Sequence, residues 1–587
     1  PEYQEKLFGD EVLAVDIRIP AEEWSAMMDN AQAKEWISCD ITINGELFTA
    51  VGVRTKGNSS LSQTSGSDRY SLSFKFDEYV AGQNCYGLDS FCVNNMMGDA
   101  TFMKDYISYD IMRTVGVEAP LTNYANVTVN GEQYCFGVAL ERYDKSYLDR
   151  AYNTSGGQLY SVKIQMGRRG DFEDMWQEER TVRSASERGA MGGGMGGFGG
   201  SGGGSLEYTD DEIASYSAIF DNPVFSKNSD KDKQRVIEAI KNLNEGTDLE
   251  EYFDVDEILR YFAAHNFVVN LDSYTSNMQQ NYYLYERDGK LTVLPWDYGL
   301  AFGGFQSGDA SEVVNFPIDT PVSGVSMEDR PLLSKLLEVP EYSEKYHQYL
   351  QEITDGYFGG GEFARTVAEV DGKIARFVEE DGYVTPEAYR AAVAEFIELG
   401  TLRAESVAGQ LAGSVPSTSA GQSENPSALT DASGIDLTAL GSMMGGRGGQ
   451  RTDGEGTSGV PAFGGFPADG EVPEGFSFPD GEAPEGFGNF VPGGMPEGFS
   501  FPDGEVPEGF ENVPMPGRSQ TRPEGEAPAD GGAQDFGQTV PAFGAATDGG
   551  ADGNSGSGLG NIIVAGGLLA LLAVSIAVVA RPGRNTV

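Results

Sequence analysis

Histidine and cysteine are scarce in this 587-residue chain. Two His and four Cys, with no Cys-x-x-Cys pair, leave little from which to build a zinc site. Cys39, Cys85, Cys92 and Cys135 allow two disulfides in three pairings if the chain is exported, and four buried free thiols equally well. Positive charge is also short, with 40 Lys+Arg against 90 Asp+Glu and a formal net charge of −50. A chain so acidic is repelled by phosphate backbones, which argues against nucleic acid as a general partner. Pro1-Glu2-Tyr3 has neither the basic region nor the apolar core of a secretory signal, so Pro1 is expected to follow a signal peptide already removed.

One long apolar run is present. Ile562 to Ala580 is 19 uncharged residues followed by Arg581 and Arg584. At about 1.5 Å per residue it spans roughly 28 Å, the thickness of a bilayer's hydrocarbon core. It is expected to be a single transmembrane helix, with 581–587 in the cytoplasm and the rest outside the cell membrane. Before it, Pro-Glu-Gly-Phe recurs at Pro473, Pro484, Pro496 and Pro507 within an acidic, Pro/Gly-rich segment. Such sequence cannot bury enough surface to offset chain entropy, so 412–560 is expected to be a disordered stalk. Ser184 to Ser205, rich in Gly, Met and Ser, reads as an insertion without a core. Its Gly194-x-Gly196-x-x-Gly199 and Gly199-x-Ser201-x-Gly203 neither follow a strand nor open a helix, and are rejected as dinucleotide loop and nucleophile elbow.

Residues 1–411 carry the regular patterning. Leu13–Ile19 alternates like a strand, and Pro20 to about Gln32 reads as a helix. Asn44-Gly45 and Asn130-Gly131 each sit between alternating runs, the signal for a tight hairpin. The first hairpin leads to Arg54-Thr55-Lys56-Gly57, and the next strand, Tyr70–Phe76, carries Lys75. Strand, polar Gly/Ser turn and strand with Lys is an arrangement that presents cations to phosphate. The second hairpin ends at Glu141-Arg142-Tyr143. Helical spacing covers Thr101–Val115, Asp210–Phe220, Lys231–Leu243, Leu249–Phe262, Pro331–Leu337, Pro340–Tyr357, Phe363–Glu379 and Pro386–Gln410. Strands first and helices afterwards predict an α+β domain.

The most informative stretch runs from His265 to Gly303. Asp272 precedes Asn277 by five positions on a loop past a helix end. Tyr282–Tyr285, Arg287-Asp288-Gly289-Lys290 and Leu291–Leu294 read as strand, turn and strand, after which comes Asp297-Tyr298-Gly299. Phosphoryl transfer uses a carboxylate to orient the attacking hydroxyl, an amide or carboxylate to hold metal beside it, and a second carboxylate to hold metal against the phosphates. Protein kinases present these as D-x-x-x-x-N and D-F-G, in the same order.

The pattern N-L-D-S-Y-x-x-N-x-x-x-N-Y-Y-L-Y with L-P-W-D-Y-G-x-A-F-G resembles the CotH kinase family of atypical secretory kinases, over roughly Val12 to Leu402. The resemblance implies a divergent two-lobed protein-kinase-like fold, with an N-lobe over about 12–141 and a C-lobe over about 142–411. It implies ATP and Mg2+ or Mn2+ as cofactors and protein Ser/Thr as acceptor. It assigns Asp272 to the acceptor hydroxyl, Asn277 and Asp297 to metal, and Asn281 to a supporting contact. Arg54 and Lys56 match the family's basic turn, and Glu141 its adenine-side Gly-x-x-x-Glu; Lys75 or Arg54 would neutralise phosphate. Two rivals stay open: a silent surface protein binding calcium or a partner, and a nucleotidyl transferase on the same fold.

Overall fold

A computed structural model describes residues 1–57, 69–163 and 202–441. The C-terminal apolar run, the Pro-Glu-Gly-Phe repeats and residues 184–201 of the insertion lie outside the described residues. Among the described residues no helix is long and apolar enough to cross a membrane.

Seven strands form a closed barrel: β1 (Leu13–Arg18), β2 (Ile37–Ile43), β3 (Glu46–Lys56), β4 (Ser71–Lys75), β5 (Ser90–Asn94), β6 (Thr122–Val129) and β7 (Glu132–Glu141), in the order β1-β2-β3-β4-β5-β7-β6. The parallel pairing of β1 with β6, Val15 opposite Val127, closes the ring. Both Asn-Gly turns fall where the patterning placed them. Asn44 and Gly45 have φ of 49° and 89°, and Asn130 and Gly131 have 53° and 85°, the positive pair a tight primed turn demands. Alternation along the strands fills the barrel with Val15, Ile17, Ile41, Val53, Leu72, Phe74 and Val127.

A second core lies outside the barrel wall. Helix α1 (Lys104–Thr114) puts Ile107, Ile111 and Met112 against Tyr124, Phe136 and Val138 on the outward side of β6 and β7. The same core continues into α2 (Val255–Val268), α3 (Glu362–Asp381) and α4 (Pro386–Leu411). Beside α2 stands a three-stranded sheet in the order β10-β9-β8, made of β8 (Gln158–Val162), β9 (Tyr282–Arg287) and β10 (Lys290–Pro295). The mixed α+β class is as expected, and the hairpin after the Asp272 loop is β9–β10.

The structure departs from the patterning in several places. The helix expected from Thr101 starts at Lys104, because Asp99 accepts from the Thr101 and Lys104 amides at 2.9 Å each and holds the preceding turn. Asp210–Phe220 is not one helix but two short turns, Ile213–Tyr216 and Ser217–Phe220. The helix expected over Leu249–Phe262 breaks at Phe253, and Asp254 caps α2 by accepting from the Glu257 amide. Strand β8 had no sequence signal of its own.

The largest difference is at the C-terminal boundary. Residues 412–441, expected as the start of a stalk, fold back onto the domain. Asn315 exchanges hydrogen bonds with the Thr430 backbone at 3.0 and 2.9 Å, and the Ala100 amide donates to the Leu440 carbonyl at 3.0 Å. Leu440 is buried, and the Lys104 ammonium reaches the Gly441 carbonyl. Polar clips do this work together with a few irregularly spaced apolar side chains, Val415, Ala432, Ile435, Leu437 and Leu440, which form no periodic pattern. The end of the insertion is packed as well: Gly204 and Ser205 accept from the Tyr282 and Tyr274 hydroxyls at 2.8 and 3.0 Å. All four cysteines are free thiols buried in the interior.

Candidate active site

Residues 54 and 56 on β3 lie on one face of the strand, opposite the buried Val53 and Thr55. That face looks into a cavity of about 550 Å³, which also takes in Arg142, Lys163, Asn222, Asp105, Asp272, Gln280, Asn281, Trp296 and Asp297. The cavity therefore gathers residues from the barrel, from α1, and from the loops either side of the β9–β10 hairpin.

Its floor is acidic. Asp272 is 9% exposed and accepts hydrogen bonds from Gln280 Nε2 at 3.0 Å and Asn281 Nδ2 at 2.9 Å. Asn281 also donates to the Asp272 carbonyl at 2.7 Å, so side chain and backbone are fixed by one amide. Burial first, and the charge of Asp297 second, push the Asp272 carboxyl up to about 7, against the two amide donors. Asp297 has a φ of 63°, left-handed and rare for a residue with a side chain. Its amide donates to the Tyr109 hydroxyl at 2.9 Å and its carbonyl accepts from Asn270 Nδ2 at 3.0 Å. With its backbone held on both sides, its carboxylate is left without a hydrogen-bond partner among the described residues and faces the cavity.

A third carboxylate, which the sequence did not single out, joins them. Asp105, in the first turn of α1, accepts from Asn94 Nδ2 at 2.6 Å and from the Tyr298 amide at 2.8 Å. Burial and then Asp297 push it up to about 7. Lys56 donates to Asn94 Oδ1 and stands 5.4 Å from the Trp296 ring centre. Lys56, Asn94, Asp105 and the Tyr298 amide thus form a polar chain from the barrel to the segment carrying Asp297. An acid near a helix start ordinarily reads as dipole compensation, so Asp105 gave no warning.

Basic side chains line the same cavity. Arg54 stacks on Trp36, 4.3 Å from the ring centre, and its Nε has no partner among the described residues. Arg142 donates to Ser73 Oγ at 3.0 Å. Lys163, at the end of β8, is pushed down to about 8 by burial and by the nearby charges of Arg142, Lys34, Arg54 and Lys56. The Asn222 amide nitrogen is buried beside them without a partner. None of Arg54, Lys56, Arg142 and Lys163 forms an ion pair with a described carboxylate. In a chain with more than twice as many acids as bases, cations gathered at one cleft without a carboxylate partner among the described residues fit a polyanionic ligand.

Three expected site residues are elsewhere. Asn277 does not line the cavity; its Oδ1 accepts from Gln306 Nε2 at 3.1 Å. Asn281, fixed at the start of β9, stands beside Asp272 instead. Lys75 shares a face with Arg54 but pairs with Gly52 at the far end of the strand, where Glu78 binds its ammonium at 2.7 Å. Glu141 is fully buried and saturated: Tyr3 Oη at 2.6 Å, the Leu121 amide at 3.0 Å, and Arg150 at 3.0 and 2.8 Å all donate to it. It has no oxygen left for a base.

Two outcomes follow. Lys75→Met breaks only a half-exposed pair and should change affinity for a polyphosphate ligand by less than about twofold, while Lys56→Met removes a charge-assisted contact of about 1.5–3 kcal/mol, or roughly ten- to a hundredfold. Titration of both variants with nucleotide checks this. Glu141→Gln removes the buried counter-charge of Arg150, leaving it only the half-exposed Glu118 carboxylate at 3.7 Å, and should lower unfolding free energy by about 3 kcal/mol. Nucleotide affinity of the folded protein should stay parental; a selective loss of affinity without loss of stability would return Glu141 to the binding site.

Among the described residues no three or more His, Cys, Asp or Glu side chains converge as a ready metal cage. The donors that do face one another, Asp297 and the amide-fixed Asp272 with Asn281, offer only oxygen, which suits a hard cation whose remaining ligands come from phosphate and water.

A model of the family described as CotH kinase protein matches residues 53–405, more than half of the chain. The inner spore coat protein H of Bacillus subtilis (strain 168) is 22% identical over 289 residues, covering 49% of this chain and 67% of that protein.

Proposed function

Since the chain belongs to the CotH kinase family, we propose that it transfers the γ-phosphate of ATP to serine or threonine hydroxyls of proteins, with the nucleotide held between the barrel and the helices as in a two-lobed kinase. The observation that carries the reading is one cavity lined both by Asp272 and Asp297 and by Arg54, Lys56, Arg142 and Lys163. Asp272, held by Gln280 and Asn281, orients the acceptor hydroxyl and takes its proton. Lys56 and Arg54 neutralise phosphate oxygens. Asp297, with Asn281 rather than Asn277, would hold Mg2+ or Mn2+, which would offset the negative charge of the phosphates. The 19-residue apolar run at Ile562–Ala580 supports a further element of the proposal, a domain displayed outside the cell membrane on a tether.

The test is incubation of the full chain and a Ser-rich acceptor with ATP labelled at either the γ- or the α-phosphate. Label from γ alone in the acceptor is expected. Label from α would replace phosphotransfer with nucleotidyl transfer, and a protein that binds no ATP with Mg2+ or Mn2+ would end both readings. Because Asp272 must be ionised to accept a proton and its carboxyl is pushed up to about 7, kcat/KM should rise between about pH 6 and 8 and fall away below. A flat profile across that range would remove Asp272 from proton transfer.

A further inference from the structure

His265 is fully buried near the end of α2 and takes no part in the cavity. Burial alone pushes its imidazole down to about 3, so it is neutral at any working pH and cannot act as a charged group. Its two ring nitrogens nevertheless reach two different loops, beside a longer 3.5 Å contact from Nδ1 to the Tyr261 hydroxyl on its own helix. Nδ1 meets the Tyr298 hydroxyl at 2.8 Å, and Nε2 meets Thr275 Oγ1 at 3.1 Å. Tyr298 follows Asp297 directly, and Thr275 lies three residues after Asp272.

These two segments come from opposite ends of the β9–β10 hairpin, and neither is regular structure at the site. The Asp272 loop is pinned from behind by Arg330, a fully buried guanidinium that donates to the Tyr274 carbonyl at 2.6 Å and to the Ser276 carbonyl. The Asp297 segment is pinned by Asp105 and by the Tyr109 hydroxyl. Each of these clamps holds one loop. The Asn270 side chain joins the two at the backbone, accepting from the Asp272 amide at 3.3 Å and donating to the Asp297 carbonyl at 3.0 Å, and the imidazole is a second tie between them, made through the side chains of Thr275 and Tyr298. A rigid, neutral, two-ended ring on a helix is suited to fixing a distance, because a helix gives a firmer base than a loop.

We propose that His265 is a positioning residue that sets Asp272 and Asp297 in register, acting on the first through Thr275 and on the second through Tyr298. The kinetic part of this inference rests on the phosphotransfer reading; the structural part does not.

The experiment uses the full chain and three variants that keep side-chain size: His265→Phe, Thr275→Val and Tyr298→Phe. Thr275→Val should lower kcat with little change in the KM for Mg-ATP, since it frees the Asp272 loop. Tyr298→Phe should instead raise the Mg2+ concentration needed for half-maximal rate, since it frees Asp297. His265→Phe should do both, each by about ten- to a hundredfold, the usual cost of ångström-scale misplacement. His265→Gln places its amide where Nε2 was, so it should restore kcat and leave the raised Mg2+ requirement. A satisfied core histidine without this role would lower the thermal midpoint but leave both kinetic quantities parental, and that result overturns the proposal.

Amide hydrogen exchange gives a readout independent of turnover. In His265→Phe, peptides over 270–281 and 296–303 should exchange faster together, with the barrel unchanged. Unchanged exchange in either loop overturns the proposal. If the parent transfers no phosphate, the phosphotransfer reading fails and exchange alone decides the role of His265. If His265→Phe does not fold, Thr275→Val and Tyr298→Phe, which retain the imidazole, still have to separate kcat from metal requirement; equal effects of the two on both quantities would refute the division.

Discussion

Asp297→Asn is expected to abolish Mg2+-dependent ATP binding, whereas Asp272→Asn should bind Mg-ATP almost as well as the parent and fail to transfer phosphate. The two carboxylates differ in what surrounds them. Asp297 has its backbone fastened and its carboxylate free, the state of a group whose partner comes with the ligand. Asp272 already accepts from two amides, so removing its charge disturbs the metal's surroundings little but removes the group that takes the acceptor's proton. General-base catalysis contributes about 10²–10⁴-fold, which sets the expected drop in kcat for Asp272→Asn. Calorimetry with Mg-ATP and transfer to a Ser-rich acceptor together check the pair. Equal loss of binding in both variants would mean that Asp272 is a metal ligand and that the division of labour is wrong. Parental transfer by both would leave an enzyme but discard this site.

Gly137→Ala should be the most damaging single methyl group that can be added to the barrel. A Cβ there would run into the carbonyl oxygen of Asn94 and stand 3.3 Å from Val93 Cγ1. Both belong to β5, which pairs with β7 along this stretch, so no flexible side chain can move away. Overpacking of this kind typically costs about 1–3 kcal/mol, and contact with backbone puts this site at the upper end. The second consequence is chemical. Displacing the Asn94 backbone shifts the amide that joins Lys56 to Asp105, so ATP affinity should fall even in the molecules that remain folded. Chemical denaturation and nucleotide titration of one preparation would measure both. Loss of stability with parental affinity would show that the Lys56–Asn94–Asp105 chain is dispensable.

How far the sequence disclosed this architecture depends on the kind of signal. The hairpins were legible because Asn-Gly between alternating runs leaves few alternatives, and their positive φ values are a local property. Asp272 and Asp297 were legible as a pair because a strand–turn–strand separates them. Asn277 misled for the opposite reason: spacing along a loop carries no geometry, and four residues further on the start of β9 holds Asn281 rigidly against Asp272. Lys75 had the correct face but the wrong end of its strand, a distance set by register with β3 that one strand cannot reveal. Asp105 and Lys163 required knowing that α1 and β8 converge on one cleft. Glu141 followed the family's pattern, yet Tyr3 and Arg150 claim it from 138 and 9 residues away. Contacts of that reach are set by tertiary packing and leave no periodic trace.

The ring of strands has a bearing on where this domain can be cut. The family match begins at residue 53, inside β3, so β1 and β2 fall before it. A fragment trimmed to that boundary would lose the two strands that join β3 to β6, and the ring would become an open sheet. Its two new margins, on β3 and β6, would present rows of unsatisfied amides and carbonyls, one of them along the apolar Ala125 and Val127. Bare margins of this kind pair readily with any extended chain, including another copy of themselves. The residues before that boundary, which meet the cleft through Gln32, Lys34 and the Trp36 ring under Arg54, thus also act as a barrier against self-association.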